Sequence, residues 1–141
     1  MSRQWVRGAL LLAGLLLPAL LLAAEPPRKA MRSFDQVHVA WSNAMRWGEM
    51  EEREPFLGTA SLAGLDDFQR RRWEQVRISG YRERSRNLQA DGRLRIRAEV
   101  SLINVHTQAE RSVVVDEYWA WMPELRSWKL DSGLPDLWPE R

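Results

Sequence analysis

The side chains best suited to acid–base chemistry gather at one end of a predicted strand pair. Arg93–Met122 alternates apolar and polar residues, which predicts two long strands joined by a turn at Gln108–Glu110. With Thr107 opposite Arg111, one face collects four polar residues: Asn104, His106, Asp116 and Tyr118. A carboxylate near an imidazole can orient it for proton transfer. We predict that these four residues, with Trp41, line a pocket; a strand end that emerges into solvent is the alternative.

Metal and nucleophile chemistry find little support in the residue types. The chain has no cysteine and two histidines, His38 and His106. A zinc site needs three or four ligands of the histidine, cysteine and carboxylate types, and no carboxylates are suitably spaced to complete such a set. No glycine-rich phosphate loop, nucleophile elbow or paired-carboxylate pattern occurs. We therefore predict no metal, no cofactor and no catalytic residue, and a packed role for His38 beside the apolar side of a helix.

Arginines form a second group of candidate residues. A two-residue turn at Asp91-Gly92 would put Arg86 opposite Arg97. Six arginines would then share one sheet face: Arg82, Arg84, Arg86, Arg93, Arg95 and Arg97. Such a face could bind anionic envelope polymers or lipid phosphates. The alternative is a solvated outer face whose charge is balanced by acidic residues.

Tryptophans form the third group. Trp119 and Trp121 alternate along one strand, and a turn at Pro123-Glu124 would put Trp119 opposite Trp128. We predict these three as an interface, with a homodimer as one form, and core packing as the alternative. Val113 and Val115 share the tryptophan face, while the opposite face also carries apolar residues. The sequence thus leaves open which face of the sheet is the core.

One long helix and a curved sheet are the elements that must position these side chains. Ser33, with Gln36 three residues later, has the form of a capping box. An apolar residue then recurs at spacings of three and four until Pro55 ends the helix, at Phe34, Val37, Trp41, Ala44, Met45 and Gly48. Asp66 or Asp67 caps a second, short helix that runs to about Trp73.

The second half of the chain predicts an antiparallel meander of about four strands. The predicted strands are Glu74–Leu88 with a bulge at Gly80, Arg93–Thr107, Arg111–Met122 and Ser127–Asp131. A strand of fifteen residues would extend about 50 Å. A domain of this size is only about 35 Å across. The sheet must therefore curve strongly around the helix, which makes the fold class α+β.

The N-terminus predicts export from the cytoplasm. Arg3 and Arg7 precede an uncharged apolar run of about 16 residues that ends in small residues, as in a secretory signal, and a spanning helix would need roughly 20. We predict a signal peptide at 1–24, cleaved after Ala24 or Ala23, a linker at 25–32 and one domain at 33–141. The location would be periplasmic or secreted, with no stable membrane anchor after cleavage.

Charge argues against nucleic acid as a partner. The chain has 21 Lys and Arg against 19 Asp and Glu. Cleavage after Ala24 would remove two arginines and no acid, which leaves equal numbers of basic and acidic residues. A protein that binds nucleic acid through its phosphates usually carries a clear basic excess.

In element order and length, residues 33–132 resemble the nuclear-transport-factor-2-like superfamily, which includes the polyketide-cyclase-like proteins. A cystatin-like helix and sheet is the close alternative. The resemblance implies a helix enclosed by a curved sheet, often with a pocket inside, and many such domains are non-enzymatic. We therefore expect an exported domain that binds a small ligand or a protein partner. The alternatives are a small hydrolase or isomerase that uses His106, Asp116 and Tyr118, and a binder of anionic envelope polymers.

Overall fold

The computed structural model describes residues 26–139 and places helices before a four-stranded sheet. The helices are α1 Arg28–Trp47, α2 Met50–Arg53, α3 Thr59–Ala63 and α4 Asp67–Glu74, with a 3₁₀ turn at Glu54–Phe56. The strands are β1 Val76–Leu88, β2 Leu94–Asn104, β3 Glu110–Met122 and β4 Ser127–Leu130. Neighbouring strands pair antiparallel in chain order. The predicted α+β class, with a curved antiparallel sheet, is confirmed; the predicted signal at 1–24 lies outside the described residues.

Helix α1 begins earlier and ends earlier than predicted. It starts at Arg28 after Pro27, and the hydroxyl of Ser33 donates to the Ala30 carbonyl at 2.7 Å instead of capping the helix. Gly48 leaves the helix in an extended conformation. A Cβ at Gly48 would lie 2.8 Å from the Ala44 carbonyl oxygen, so only glycine fits this close approach. The chain turns here, seven residues before the predicted end at Pro55.

The short helix α4 confirms its predicted start. The Asp66 side chain accepts a hydrogen bond from the Gln69 backbone N–H at 2.8 Å. The Gln69 side chain accepts one in return from the Asp66 N–H at 3.2 Å. This reciprocal capping box satisfies two backbone donors that have no partner within the helix. The helix is thereby held at the start of β1.

The hairpin between β1 and β2 lies where Asp91-Gly92 predicted it, but its register differs. The Gln89 N–H donates to the Arg93 carbonyl at 2.8 Å around a three-residue loop, in which Gly92 has a φ of 84°. The prediction of a two-residue turn is therefore wrong by one residue. The predicted bulge near Gly80 is confirmed by a register shift between Ile78 and Gly80, and a second shift follows at Glu83–Ser85.

The register of β2 and β3 differs from the prediction by an odd number of residues. The connecting loop spans 105–108 and not 108–110, because Asn104 pairs with Ala109 and its N–H donates to the Ala109 carbonyl at 2.9 Å. Asp116 consequently lies opposite Arg97, whereas the predicted register placed it opposite Leu102. An odd shift moves every side chain of a strand to the other face. Asp116 therefore points away from the core, and its neighbour Glu117 points into it.

The core lies between α1 and one face of the sheet. Helix α1 contributes Phe34, Trp41 and Met45, and β2 contributes five alternating residues: Leu94, Ile96, Ala98, Val100 and Leu102. Because of the observed register, Val113, Val115 and Trp119 of β3 face the same core. The apolar residues of both strands thus share one face, which answers the question that the sequence left open.

Strand β4 completes this core. Trp128 lies opposite Trp121, and Trp119 lies opposite Leu130, so the predicted pairing of Trp119 with Trp128 is wrong by two residues. The indole of Trp128 donates to the Ala30 carbonyl at 2.7 Å and so connects β4 to the first turn of α1. Within residues 26–139, no helix combines the length and the apolar composition needed to cross a membrane.

Candidate functional site

A carboxyl group is enclosed at the centre of the helix–sheet core. Glu117 of β3 has no exposed surface. Its Oε1 accepts a hydrogen bond from the Trp41 indole at 2.9 Å. Its Oε2 accepts from the Tyr81 hydroxyl at 2.8 Å and from the Trp119 indole at 3.2 Å. Three neutral groups therefore satisfy the carboxyl, and no cationic side chain of residues 26–139 forms an ion pair with it.

The surroundings of Glu117 favour its protonated form. Burial raises the pKa of Glu117 to about 7, although the three hydrogen bonds act in the opposite direction. Burial, and then the charge of Glu117, also raises the pKa of Tyr81. The effect of burial on the pKa of Glu117 is thus larger than the effect of the three hydrogen bonds, as expected where the bonding partners are uncharged.

The hydrogen bonds continue from Glu117 toward the surface. The Tyr81 hydroxyl lies 3.0 Å from Nε2 of His38, and Nδ1 of His38 lies 3.2 Å from Glu83. Burial lowers the pKa of His38, while the nearby Glu83 charge opposes that effect. Glu83 pairs in turn with the exposed Arg86 at 2.9 Å. A continuous chain of polar groups therefore joins the buried carboxyl to the solvent.

Two proton arrangements satisfy this chain equally. In the first, a neutral Glu117 donates to Tyr81, Tyr81 donates to Nε2 of His38, and Nδ1–H of His38 donates to Glu83. In the second, a doubly protonated His38 donates to both neighbours, and Tyr81 donates to an ionised Glu117. The raised pKa of Glu117 and the lowered pKa of His38 both favour the first arrangement.

The structure does not bring the predicted pocket residues together. His106 is exposed in the turn after β2, where the Asn104 side chain accepts hydrogen bonds from the backbone of His106 and Thr107. Asp116 lies on the outer face and binds Arg95 at 3.0 Å. Tyr118 also faces outward, 4.9 Å below the guanidinium of Arg93. Of the predicted set, only Trp41 contacts the buried carboxyl.

The sequence held a signal for the residues that were missed. Phe34, His38, Trp41 and Met45 follow one another at spacings of three and four, which places His38 within the buried face of α1. Glu117 alternates with Val113, Val115 and Trp119 along β3. A carboxylate in the middle of an apolar face indicates a buried polar group with partners. Tyr81 had no comparable signal, because a bulge precedes it.

The predicted tryptophan interface is largely internal. Trp119 is 0% exposed and Trp128 is 1% exposed. Trp121 is half-buried and lines a surface cavity of about 510 Å³ with Pro27 and Arg126. Of the three tryptophans, only Trp121 therefore retains surface that a partner could contact.

The arginines do not form the single face that was predicted. Arg86 lies on the sheet face that α1 covers. There it forms an ion pair with Asp35 at 2.6 Å, and its guanidinium lies over the Phe34 ring. Most of the other arginines form ion pairs with carboxylates, so their positive charge is largely balanced. The pairs are Arg82–Glu99, Arg84–Glu99, Arg93–Asp91, Arg93–Asp131 and Arg95–Asp116.

An open cleft lies at the C-terminal end of α1. It has a volume of about 490 Å³ and runs between the α1–α2 junction and the first residues of β1. Trp47, at the last position of α1, is 77% exposed at its wall. The rest of the apolar lining consists of the buried Trp73 of α4, the exposed Val105, and Met50, Val76 and Ile78.

Charged groups of both signs line the same cleft. The cationic residues are Arg46, Arg53 and Arg77, and the acidic ones are Glu49, Glu51 and Glu74. Arg53 differs from the rest because it is only 7% exposed. Its Nε donates to the Ala44 carbonyl at 3.2 Å, and its Nη2 donates to the Met45 carbonyl at 3.1 Å. Arg53 therefore caps the C-terminal end of α1, where the helix dipole favours a cation.

Comparisons with known proteins do not identify the chain. No protein-family model matches it, and neither a curated protein nor a solved structure matches it. Within the described part of the chain, no group of three or more histidine, cysteine, aspartate or glutamate residues could hold a metal ion. The site must therefore be interpreted from its own geometry.

Proposed function

We propose that the protein is an exported, non-enzymatic binding domain, and that the cleft at the C-terminal end of α1 receives its ligand. The observation that carries this proposal is the contrast between a filled core and an open cleft. Glu117 has acid–base character, but it is fully enclosed and lines none of the five cavities described for residues 26–139. Catalysis would require a substrate to reach it.

The cleft has the properties of a small-ligand site. A volume of about 490 Å³ falls within the range of roughly 300–1,000 Å³ typical of such sites. An exposed indole beside polar groups supplies both contact area and orientation. These features favour a small molecule over the alternative of a protein partner.

A titration followed by NMR tests this proposal. The purified protein is titrated with a set of small anionic, cationic and neutral aromatic compounds, and a Trp47→Phe variant identifies the Trp47 indole N–H signal. We expect at least one compound to shift that signal. Trp47→Ala, followed through the backbone amide signals of the other lining residues, should weaken its binding about tenfold, as expected for the loss of a large aromatic contact.

Phe68→Ala is the matched control, because Phe68 is 60% exposed but lies outside the cleft lining. It should leave the affinity unchanged. If no compound shifts the cleft signals, or if both variants weaken binding equally, the cleft is not the site.

Export is proposed from residues 1–24, whose composition is that of a secretory signal. Intact mass measurement of the full chain after expression in an exporting bacterium tests it. We expect the mass of a chain that begins at Glu25 or Ala24. A periplasmic protein that retains Met1 would contradict cleavage.

A relationship to the nuclear-transport-factor-2-like superfamily is also proposed. Its support is the order of elements, with a long helix against a curved antiparallel meander. The enclosed Glu117 would make this a member whose central pocket is closed by its own aromatic residues. An experimental structure in which α1 does not pack in the concave side of the sheet would contradict this relationship.

A further inference from the structure

We propose that the cleft recognises the carboxylate of a ligand with an apolar body, and that Arg53 is the residue that binds it. This inference rests on the proposed function and names its ligand class. It depends on three features of the cleft: a buried guanidinium with one nitrogen left over, the balance of charge around it, and an apolar wall beside it.

One nitrogen of Arg53 remains for a ligand. Nε and Nη2 are used by the carbonyls of Ala44 and Met45. Within residues 26–139, no buried side-chain nitrogen or oxygen lacks a hydrogen-bond partner. Because Nη1 has no hydrogen-bond partner among residues 26–139, it is not fully buried there, and Arg53 lines the cleft. Its Nη1 therefore donates into the cleft from a buried, largely immobile side chain.

The ring of Trp73 also helps to fix the position of the Arg53 side chain. Its guanidinium lies 5.2 Å from the centre of the Trp73 ring, and Trp73 is 4% exposed. Stacking on an aromatic ring orients the plane of a guanidinium. An oriented, desolvated cation binds a carboxylate more strongly than a mobile surface side chain does.

The balance of charge favours a single negative charge on the ligand. Arg46 and Arg77 add positive charge to the wall, but three glutamates line the same cleft. A dianion such as a phosphate monoester would be attracted by the arginines and repelled by the glutamates about twice as strongly as a monoanion. It would also lose far more hydration on entering the cleft, and the lining has no excess of positive charge to offset that cost. A carboxylate is the monoanion whose geometry suits a guanidinium.

The apolar body of the ligand has a matching surface. Trp47 is exposed at the wall, and Arg46 covers part of its ring at 5.0 Å. Val105, another residue of the lining, is 42% exposed. A phenyl or short alkyl group in contact with these apolar surfaces would remove them from water.

Matched probes test the inference. We titrate the protein with 4-phenylbutyrate, with its uncharged amide, and with 4-phenylbutylamine, and follow the Trp47 indole signal. The acid should bind at least about tenfold more tightly than the amide, because only the acid forms a charge-assisted hydrogen bond. Equal affinities for the acid and the amide would overturn the inference.

Variants separate recognition by Arg53 from the general effect of charge. Arg53→Lys keeps the charge but loses the planar fork, and it should lower the affinity for the acid about tenfold while leaving that for the amide unchanged. Arg77→Gln should lower the affinity for the acid about threefold, because it removes one attractive charge. Arg97→Gln makes the same change of net charge on the outer face and should have no effect.

If Arg53→Lys binds the acid as tightly as the unmodified protein does, the inference is overturned. Its folding is checked by the unchanged signals of Glu117 and Trp119, which lie outside the cleft.

The results also distinguish this inference from the proposed function. Cleft shifts caused by the amide or the amine but not by the acid overturn the inference and support the proposed function. An absence of cleft shifts with every compound overturns both. An N-acetylated Ala-Ala-Phe peptide with a free C-terminus, compared with its C-terminal amide, shows whether the carboxylate comes from a peptide chain or from a small acid.

Discussion

The core between α1 and the sheet removes an ionisable group from water, and so does the cleft, but the two regions satisfy that group differently. Glu117 has its oxygens hydrogen-bonded to three groups of its own chain and has no exposed surface. Arg53 lines the cleft and has two nitrogens bound by carbonyls, which leaves the third for the ligand that we propose. The first group is complete within the protein and therefore acts in stability. The second is incomplete and therefore can act in binding.

The largest expected effect is the loss of the enclosed carboxyl. Glu117→Ala leaves the indoles of Trp41 and Trp119 without acceptors and opens a cavity. We expect the free energy of unfolding to fall by about 3–5 kcal/mol. Urea unfolding at pH 7 measures it.

Asp116→Ala is the matched control, because the neighbouring carboxylate pairs with Arg95 on the outer face. Its loss should cost less than about 1 kcal/mol. Similar losses for the two variants would show that Glu117 is not enclosed as described.

The pH dependence of stability is the next effect in size. Folding raises the pKa of Glu117 from 4.5 to about 7. The contribution of Glu117 to the free energy of unfolding is therefore complete below pH 4.5 and is lost as the pH rises to about 7. His38, whose pKa is lowered, acts oppositely: its contribution is complete above its ordinary pKa of 6.5 and is lost as the pH falls.

Subtracting the unfolding free energy of a Glu117→Gln variant from that of the unmodified protein leaves mainly the contribution of Glu117, since His38 is common to both. That difference should decrease by about 3 kcal/mol from pH 4.5 to pH 7. Urea unfolding across this range measures it. A difference that is flat with pH would contradict the buried position of the titrating group.

The smallest effect concerns Arg53. Arg53→Met removes the cap from the Ala44 and Met45 carbonyls but keeps an apolar side chain over Trp73. Water in the open cleft can hydrate those carbonyls, so we expect a loss of only about 1 kcal/mol in the free energy of unfolding.

Arg77→Met, a second arginine of the cleft lining, is the control and should cost less than about 0.5 kcal/mol. A loss from Arg53→Met as large as that from Glu117→Ala would show that Arg53 is as fully enclosed as the carboxyl. The comparison between the two regions would then fail.

Features that depend on a few neighbouring residues were predictable. The Asp66 cap, the turn at Asp91-Gly92 and the bulge near Gly80 each follow from local backbone chemistry, and the structure has all three. The end of α1 was not found, because Gly48 breaks the helix through its close approach to Ala44 and Glu52, which chain order does not reveal. The pocket prediction depended on a register, and its residues proved to lie apart.

The register of β2 and β3 explains why the sequence did not reveal Glu117 as the enclosed carboxyl. The loop after β2 has four residues between the paired Asn104 and Ala109, and it is held by the Asn104 side chain and by Gln108 at a φ of 59°. A three-residue loop was the simpler interpretation of the same sequence. The difference exchanged Asp116 for Glu117 on the core face, and with it an exposed carboxylate for an enclosed one.

The amino-acid sequence by itself determined the order and the type of the main elements, which are the long helix, the short helix α4 and the four strands, since a period of 3.6 or of 2 is set by backbone geometry within each segment. Only the tertiary structure decided which sheet face α1 covers, which carboxyl is enclosed, and that Arg53 reaches an open cleft. The physical reason is that faces are assigned by pairing between segments, where an error of one residue reverses every side chain.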